Sequence, residues 1–150
     1  INTIGAIMVT PGFTTTAKGQ RRSIPEKPAD FSGSMPEYVV YNQLLRFGLK
    51  PNQDFQFQAR FGGGKIERGG MVIDFLFSNP PGLAINVQGV YYHYEQGSVN
   101  IANDLLAREV LAGQGISLIF LDDDDIMANP TFYVREALNF KDYSKYSLGR

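Results

Sequence analysis

The rhythm of hydrophobic and polar positions changes several times along this chain, and each change marks an element. Residues 1–33 have no period and are rich in Thr, Gly, Pro and Ser, so they read as an extended arm or linker. Order begins at Ser34, which can cap a helix; Pro36 suits its first turn and Glu37 favours the positive end of its dipole. Val40, Leu44, Leu45 and Phe47 give a helical stripe that Gly48 ends. Residues 54–61 alternate polar and apolar, as a half-buried strand does. A glycine-rich turn over 62–70 leads to a second strand at 71–77. Asn79-Pro80-Pro81-Gly82 breaks that strand, and a third runs over 83–88 to Gly89. Ser98 can cap a helix reaching residue 111, with Ala102, Leu105, Leu106 and Val110 on one face and Gly113 and Gly115 as its stop. The continuous apolar run 116–121 predicts a buried strand. Asn129 and Pro130 open a last helix with Phe132, Tyr133, Ala137 and Leu138, and residues 141–150 form a polar, Tyr-containing tail. The order α-β-β-β-α-β-α predicts an α/β fold, a mixed sheet of about four strands with flanking helices, over residues 34–140.

Composition narrows the picture. A chain of 150 residues suits one core, and 43% hydrophobic with 19% charged residues is a globular profile, not a disordered one. The net charge of -1 leaves no global basic excess for nucleic acid, so any such contact must be local. The local candidates are Lys18, Arg21, Arg22 and Lys27 in the arm, and Lys65 and Arg68 in the glycine-rich turn. The absence of cysteine excludes a disulfide framework and a thiolate zinc site. No apolar run has membrane-span length, and residues 1–10 lack the basic n-region of a signal peptide; the expected location is intracellular.

Four residues are candidates for chemistry. Asp74 sits inside the apolar strand Val72-Ile73-Asp74-Phe75-Leu76, where a carboxylate is unfavourable unless it is paired or holds a cation. The alternative is a strand carboxylate facing solvent or bonding a nearby amide. His93, the only histidine, follows Tyr91-Tyr92 and could transfer protons near neutral pH, or simply sit in an aromatic surface patch. Asp104 on the crossover helix could orient an imidazole or activate a water, or pair with Arg108 on a solvated face. Glu37 could complement a helix dipole and nothing more.

Together these residues form a layout. Glu37 on a first helix, Val72-Ile73-Asp74-Phe75, then Asn86-Val87-Gln88-Gly89-Val90-Tyr91-Tyr92-His93, Asp104 and Gly113-Gln114-Gly115-Ile116 resemble the Vsr-like and EDxHD homing endonucleases of the PD-(D/E)XK (restriction endonuclease-like) superfamily. The resemblance spans residues 36–121. It implies a metal-dependent DNA endonuclease on double-stranded DNA, with Mg²⁺ or Mn²⁺ as cofactor. Asp74 would be the strand carboxylate on the metal, Glu37 would lie near the same centre, His93 would act as general base or orient the attacking water, and Asp104 would be a second acidic partner. Asn86 and Gln88 would be neutral ligands or water anchors. Lys65, Arg68, Arg21 and Arg22 would contact the DNA backbone.

The sequence departs from the pattern at Asn86-Val87-Gln88, where many superfamily members carry an acidic residue and then a lysine. An alternative therefore stands beside the enzyme: a catalytically inactive nuclease-like fold serving as a structural or interaction module in a phage particle or other large assembly, held by its two terminal arms. The run Asp122 to Asp125 could bind a metal, but reads more simply as a solvated loop before a short helix.

Overall fold

The structure, a computed structural model, describes residues 26–61, 71–89 and 98–148. The elements follow in the order α1 (Met35–Arg46), β1 (Phe55–Phe61), β2 (Met71–Phe77), β3 (Leu83–Gln88), α2 (Ser98–Gly113), β4 (Ser117–Asp122), α3 (Asp123–Ala128), α4 (Pro130–Leu138) and α5 (Lys145–Leu148). One four-stranded sheet runs β1-β2-β3-β4. Its first two pairings are antiparallel and β3 pairs with β4 in parallel, from Leu83↔Ser117 to Gln88↔Asp122. The expected mixed sheet with flanking helices is present, and α3 and α5 add to the expected order.

Both ends of α1 are fixed by local chemistry. The Ser34 hydroxyl accepts the Glu37 amide and the Glu37 carboxylate accepts the Ser34 amide, each at 3.3 Å. This capping box satisfies two amides that a helix start otherwise leaves orphaned. At the other end, Leu49 N–H reaches the Leu44 carbonyl and Gly48 N–H the Leu45 carbonyl, with Gly48 at φ 92°. That is a Schellman closure, which favours glycine at the left-handed position. The same closure ends α2 at Gly115 and α4 at Phe140, where φ is 64° on a non-glycine residue.

Two apolar clusters lie on opposite faces of the sheet. Val39, Val40 and Leu44 of α1, Ile126 of α3, and Val134 and Ala137 of α4 cover Phe55, Phe75, Phe77, Leu83, Ile85, Ile119 and Leu121. On the other face, Leu111 and Ala107 of α2, with Tyr146 of α5, pack on Ile73, Ala84, Leu118 and Phe120.

Two helical stripes differ from expectation. Leu45 is exposed, and Val39 takes its place beside Val40 and Leu44. On α2, Ala102, Leu106 and Val110 face outward, Leu106 being 61% exposed. The inward side carries Ala107 and Leu111 together with half-buried Asp104 and Arg108. Those polar groups tolerate burial because each has a partner: Asp104 receives the Tyr146 hydroxyl and Arg108 lies over the Phe120 ring.

Residues 141–148 lie along β4, the edge of the sheet. The Phe120 amide donates to the Asp142 carboxylate at 2.9 Å, and the Lys145 amide donates to Asp122 at 3.0 Å. Asp142 thereby covers an edge amide that a neighbouring strand would otherwise seek.

Candidate functional site

The site grows from a fault in the sheet. Along β2, Met71 and Ile73 join one apolar cluster while Phe75 and Phe77 join the other. Side chains of a regular strand alternate, so residues 73 and 75 should share a face. The alternation therefore breaks at Asp74. On β1 the facing residue is Gln58, at φ 57°, and it is missing from a ladder that pairs Phe57↔Phe75 and Ala59↔Ile73. A left-handed glutamine costs about 1–3 kcal/mol and persists where its surroundings hold it.

The surroundings do hold it. The Ser32 hydroxyl donates to Gln58 Oε1 at 2.8 Å. Phe31 stacks on Phe57, with centroids 4.9 Å apart, and meets Tyr38 and Tyr41 edge-on. Between them Gly33 lies so close to the Glu37 carboxylate and to the Phe31 and Phe57 rings that a β-carbon there would collide with all three. Residues 31–34 thus bring the start of α1, and Glu37 with it, onto the sheet beside Asp74.

Asp74 is the centre. Its amide donates to Asn86 Oδ1 and its carboxylate accepts the Val87 amide, both at 2.8 Å. Burial pushes its pKa from 3.8 up to about 7; the Glu37 charge adds to the rise, the Val87 amide opposes it, and the Asp104 charge adds again. The carboxylates of Glu37 from α1 and Asp104 from α2 are therefore each in electrostatic reach of Asp74 on β2. Glu37 is itself raised by burial, against its bonds to Ser34. Asp104 is held by the Tyr146 hydroxyl at 2.7 Å.

β3 contributes amide groups. Asn86 Oδ1 is engaged by Asp74, and Gln88, two residues along the same face, is 2% exposed. Among the described residues no donor reaches Gln88 Oε1. A buried amide oxygen without a donor is unfavourable, and a cation is one group that would satisfy it. Burial and the charges of Glu37 and Asp104 make the surroundings of Asp74 suited to positive charge.

His93, Lys65, Arg68, Arg21 and Arg22 lie outside the described residues. A second acidic group is present: ligand oxygens of Asp122, Asp124 and Asp125 lie within 4.8 Å of one another and could hold a metal ion. Asp122 departs from the expected solvated loop, being the buried last residue of β4 with the Lys145 amide on its carboxylate. Asp123 to Asp125 form the first turn of α3, where acidic residues complement the helix dipole.

Sequence reasoning missed Tyr146, Gln58 and Ser32. Tyr146 had one usable signal, an aromatic residue in a polar tail; Gln58 and Ser32 had none. Among the described residues no helix is long and apolar enough to cross a membrane. No family model, curated protein or solved structure matches the chain.

Proposed function

We propose that the chain is a metal-dependent DNA endonuclease of restriction endonuclease-like fold, similar to the Vsr-like and EDxHD homing enzymes. The observation that carries the reading is Asp74, a half-buried strand carboxylate bonded to the Asn86 side chain and the Val87 amide, whose pKa rises to about 7 under burial and the charges of Glu37 and Asp104. A hairpin, a third strand and a crossover helix to a parallel fourth strand support the same reading.

The donors are all oxygen, which suits a hard divalent cation. Asp74, with the amide oxygens of Asn86 and Gln88, would hold Mg²⁺ or Mn²⁺. When bound, such an ion neutralises charge growing on a phosphate and makes a water more acidic. The protein's own groups do the rest. Glu37 and Asp104 flank Asp74 and keep the site negative enough to retain a cation. His93 takes a proton from the attacking water as its oxygen bonds phosphorus and the bond to the leaving sugar oxygen breaks. Lys65, Arg68, Arg21 and Arg22 hold the backbone of double-stranded DNA.

A plasmid-nicking assay with Mg²⁺ or Mn²⁺ tests this. Cutting is expected from the wild type and from neither Asp74→Ala nor His93→Ala. Cutting by Asp74→Ala at the wild-type rate sinks the proposal.

One observation favours a second reading. Asn86 Oδ1 already accepts the Asp74 amide, at a strand position where many members of the wider PD-(D/E)XK superfamily place an acidic residue. On that reading the fold is a structural or interaction module, in a phage particle or other assembly, joined to partners through its terminal arms, of which residues 141–148 are packed on β4 of this chain. A well-folded protein that fails to cut whichever metal is supplied would move the assignment there.

A further inference from the structure

We propose that Tyr146 is a positioning residue that fixes the Asp104 carboxylate of the proposed nuclease site, and that the C-terminal segment docks on β4 in order to deliver it. The inference rests on the nuclease reading for its catalytic consequence. Its geometric part stands on the contacts alone.

Tyr146 sits 42 residues from Asp104 in the chain, yet its hydroxyl donates to Asp104 Oδ2 at 2.7 Å. Three contacts hold it there. Its ring meets Phe120 edge-on with centroids 4.7 Å apart. One residue earlier, the Lys145 amide is tied to Asp122. Two residues earlier, buried Ser144 is tied by amide and hydroxyl to Asp142, which also takes the Phe120 amide. The docking is therefore dense in the residues just before the one that carries the hydroxyl. Arg108, one turn beyond Asp104, lies over the other ring of the pair, Phe120.

Among the described residues, the charged groups acting on the hydroxyl are Asp104, Asp122 and Arg108. Burial, then the bond to Asp104, push the Tyr146 phenol well above its ordinary value, so it remains a donor throughout the working pH range. A fixed donor on Asp104 favours its ionised form and sets its rotamer. Asp104 is thereby held in one orientation by a donor on its Oδ2, within electrostatic reach of Asp74.

Tyr146→Phe tests the idea, because it keeps the ring on Phe120 and removes only the donor. The kcat for nicking is expected to fall roughly 10- to 100-fold, with KM for DNA unchanged. The acid limb of the pH profile is expected to move to higher pH. In an Asp104→Asn background the same substitution should cause no further loss, because Tyr146 acts through Asp104. A loss that adds fully to that of Asp104→Asn, or a rise in KM with kcat intact, overturns the assignment. A carboxyl titration by NMR separates this failure from failure of the nuclease reading. The Asp104 pKa is expected to rise in Tyr146→Phe whether or not the protein cuts; no rise overturns the coupling, and a wild type that never cuts overturns its catalytic role.

Discussion

Asp74 and Asn86 stand opposite each other in the register of β2 and β3, and there side chains replace the backbone ladder. The neighbouring pairs are Phe75↔Ile85 and Leu76↔Ala84. At the next position the Asp74 amide goes to Asn86 Oδ1, and the Val87 amide goes to Asp74 Oδ2. The strand pairing that builds the fold thus ends on the residues proposed to build the site.

Asn86→Ala should destabilise the protein by about 1–3 kcal/mol, since it leaves the part-buried Asp74 amide without its acceptor. Urea denaturation would measure this. Asn86→Asp restores an acceptor and adds a carboxylate next to Asp74. Without metal it should raise the Asp74 pKa further, and it should tighten Mn²⁺ binding measured by calorimetry. A stability equal to wild type in Asn86→Ala would mean the bond contributes nothing.

The raised Asp74 pKa gives stability a definite pH dependence. The folded protein keeps the Asp74 proton up to about pH 7, whereas the unfolded chain releases it near 3.8. The stabilisation from that proton is full below the unfolded value and is lost as pH rises through about 7. Asp74→Asn keeps an acceptor for the Val87 amide and removes the charge. It should match the wild type near pH 4 and exceed it at pH 8 by on the order of 3 kcal/mol. Thermal melts across that range, without metal, would reveal curves that meet near pH 4 and diverge towards pH 8. Parallel curves would show that Asp74 ionises freely in the fold.

Much of the fold was legible because local chemistry and tertiary need agree there. Ser34, Pro36 and Glu37 start α1, and the apolar runs at 71–77 and 83–88 become strands with those limits. The face of α2 was not legible. Ala102, Leu106 and Val110 make the more apolar stripe, but the fold turns Asp104 and Arg108 inward because Tyr146 and Phe120, far along the chain, wait for them. Asp74 was legible as a misfit, a charge in an apolar strand. The bend that accommodates it was not, because Gln58 carries no signal for a left-handed backbone. Residues at a site break local rules, and their compensations come from distant segments.

Asp142→Ala should strip the edge of β4. It leaves the Phe120 amide and the amide of buried Ser144 without acceptors, so a loss of about 2–4 kcal/mol is expected. The loss should be local before it is global. Hydrogen exchange should speed up first at Phe120 and over 143–148, while Phe75 and Ile85 in the sheet centre stay protected. Uniform acceleration across the sheet would instead mark the C-terminal segment as part of one cooperative unit.

Gln88 allows stability and metal binding to be set against each other. Its side chain is buried at the end of β3 with Oε1 lacking a donor among the described residues. Gln88→Met is close in volume and has no amide oxygen to leave unsatisfied. In metal-free buffer it should therefore melt higher than the wild type, by an amount equivalent to about 1 kcal/mol. Wild-type protein should gain about 2.7 kcal/mol at a Mn²⁺ concentration one hundred times its dissociation constant. The variant should gain far less at that concentration, because one of the oxygens proposed to hold the ion is gone. A residue that weakens the metal-free fold and strengthens the loaded one belongs to a binding site. If Gln88→Met melts lower without metal and responds to Mn²⁺ as the wild type does, the amide is a packing group and the cation rests on Asp74 without it.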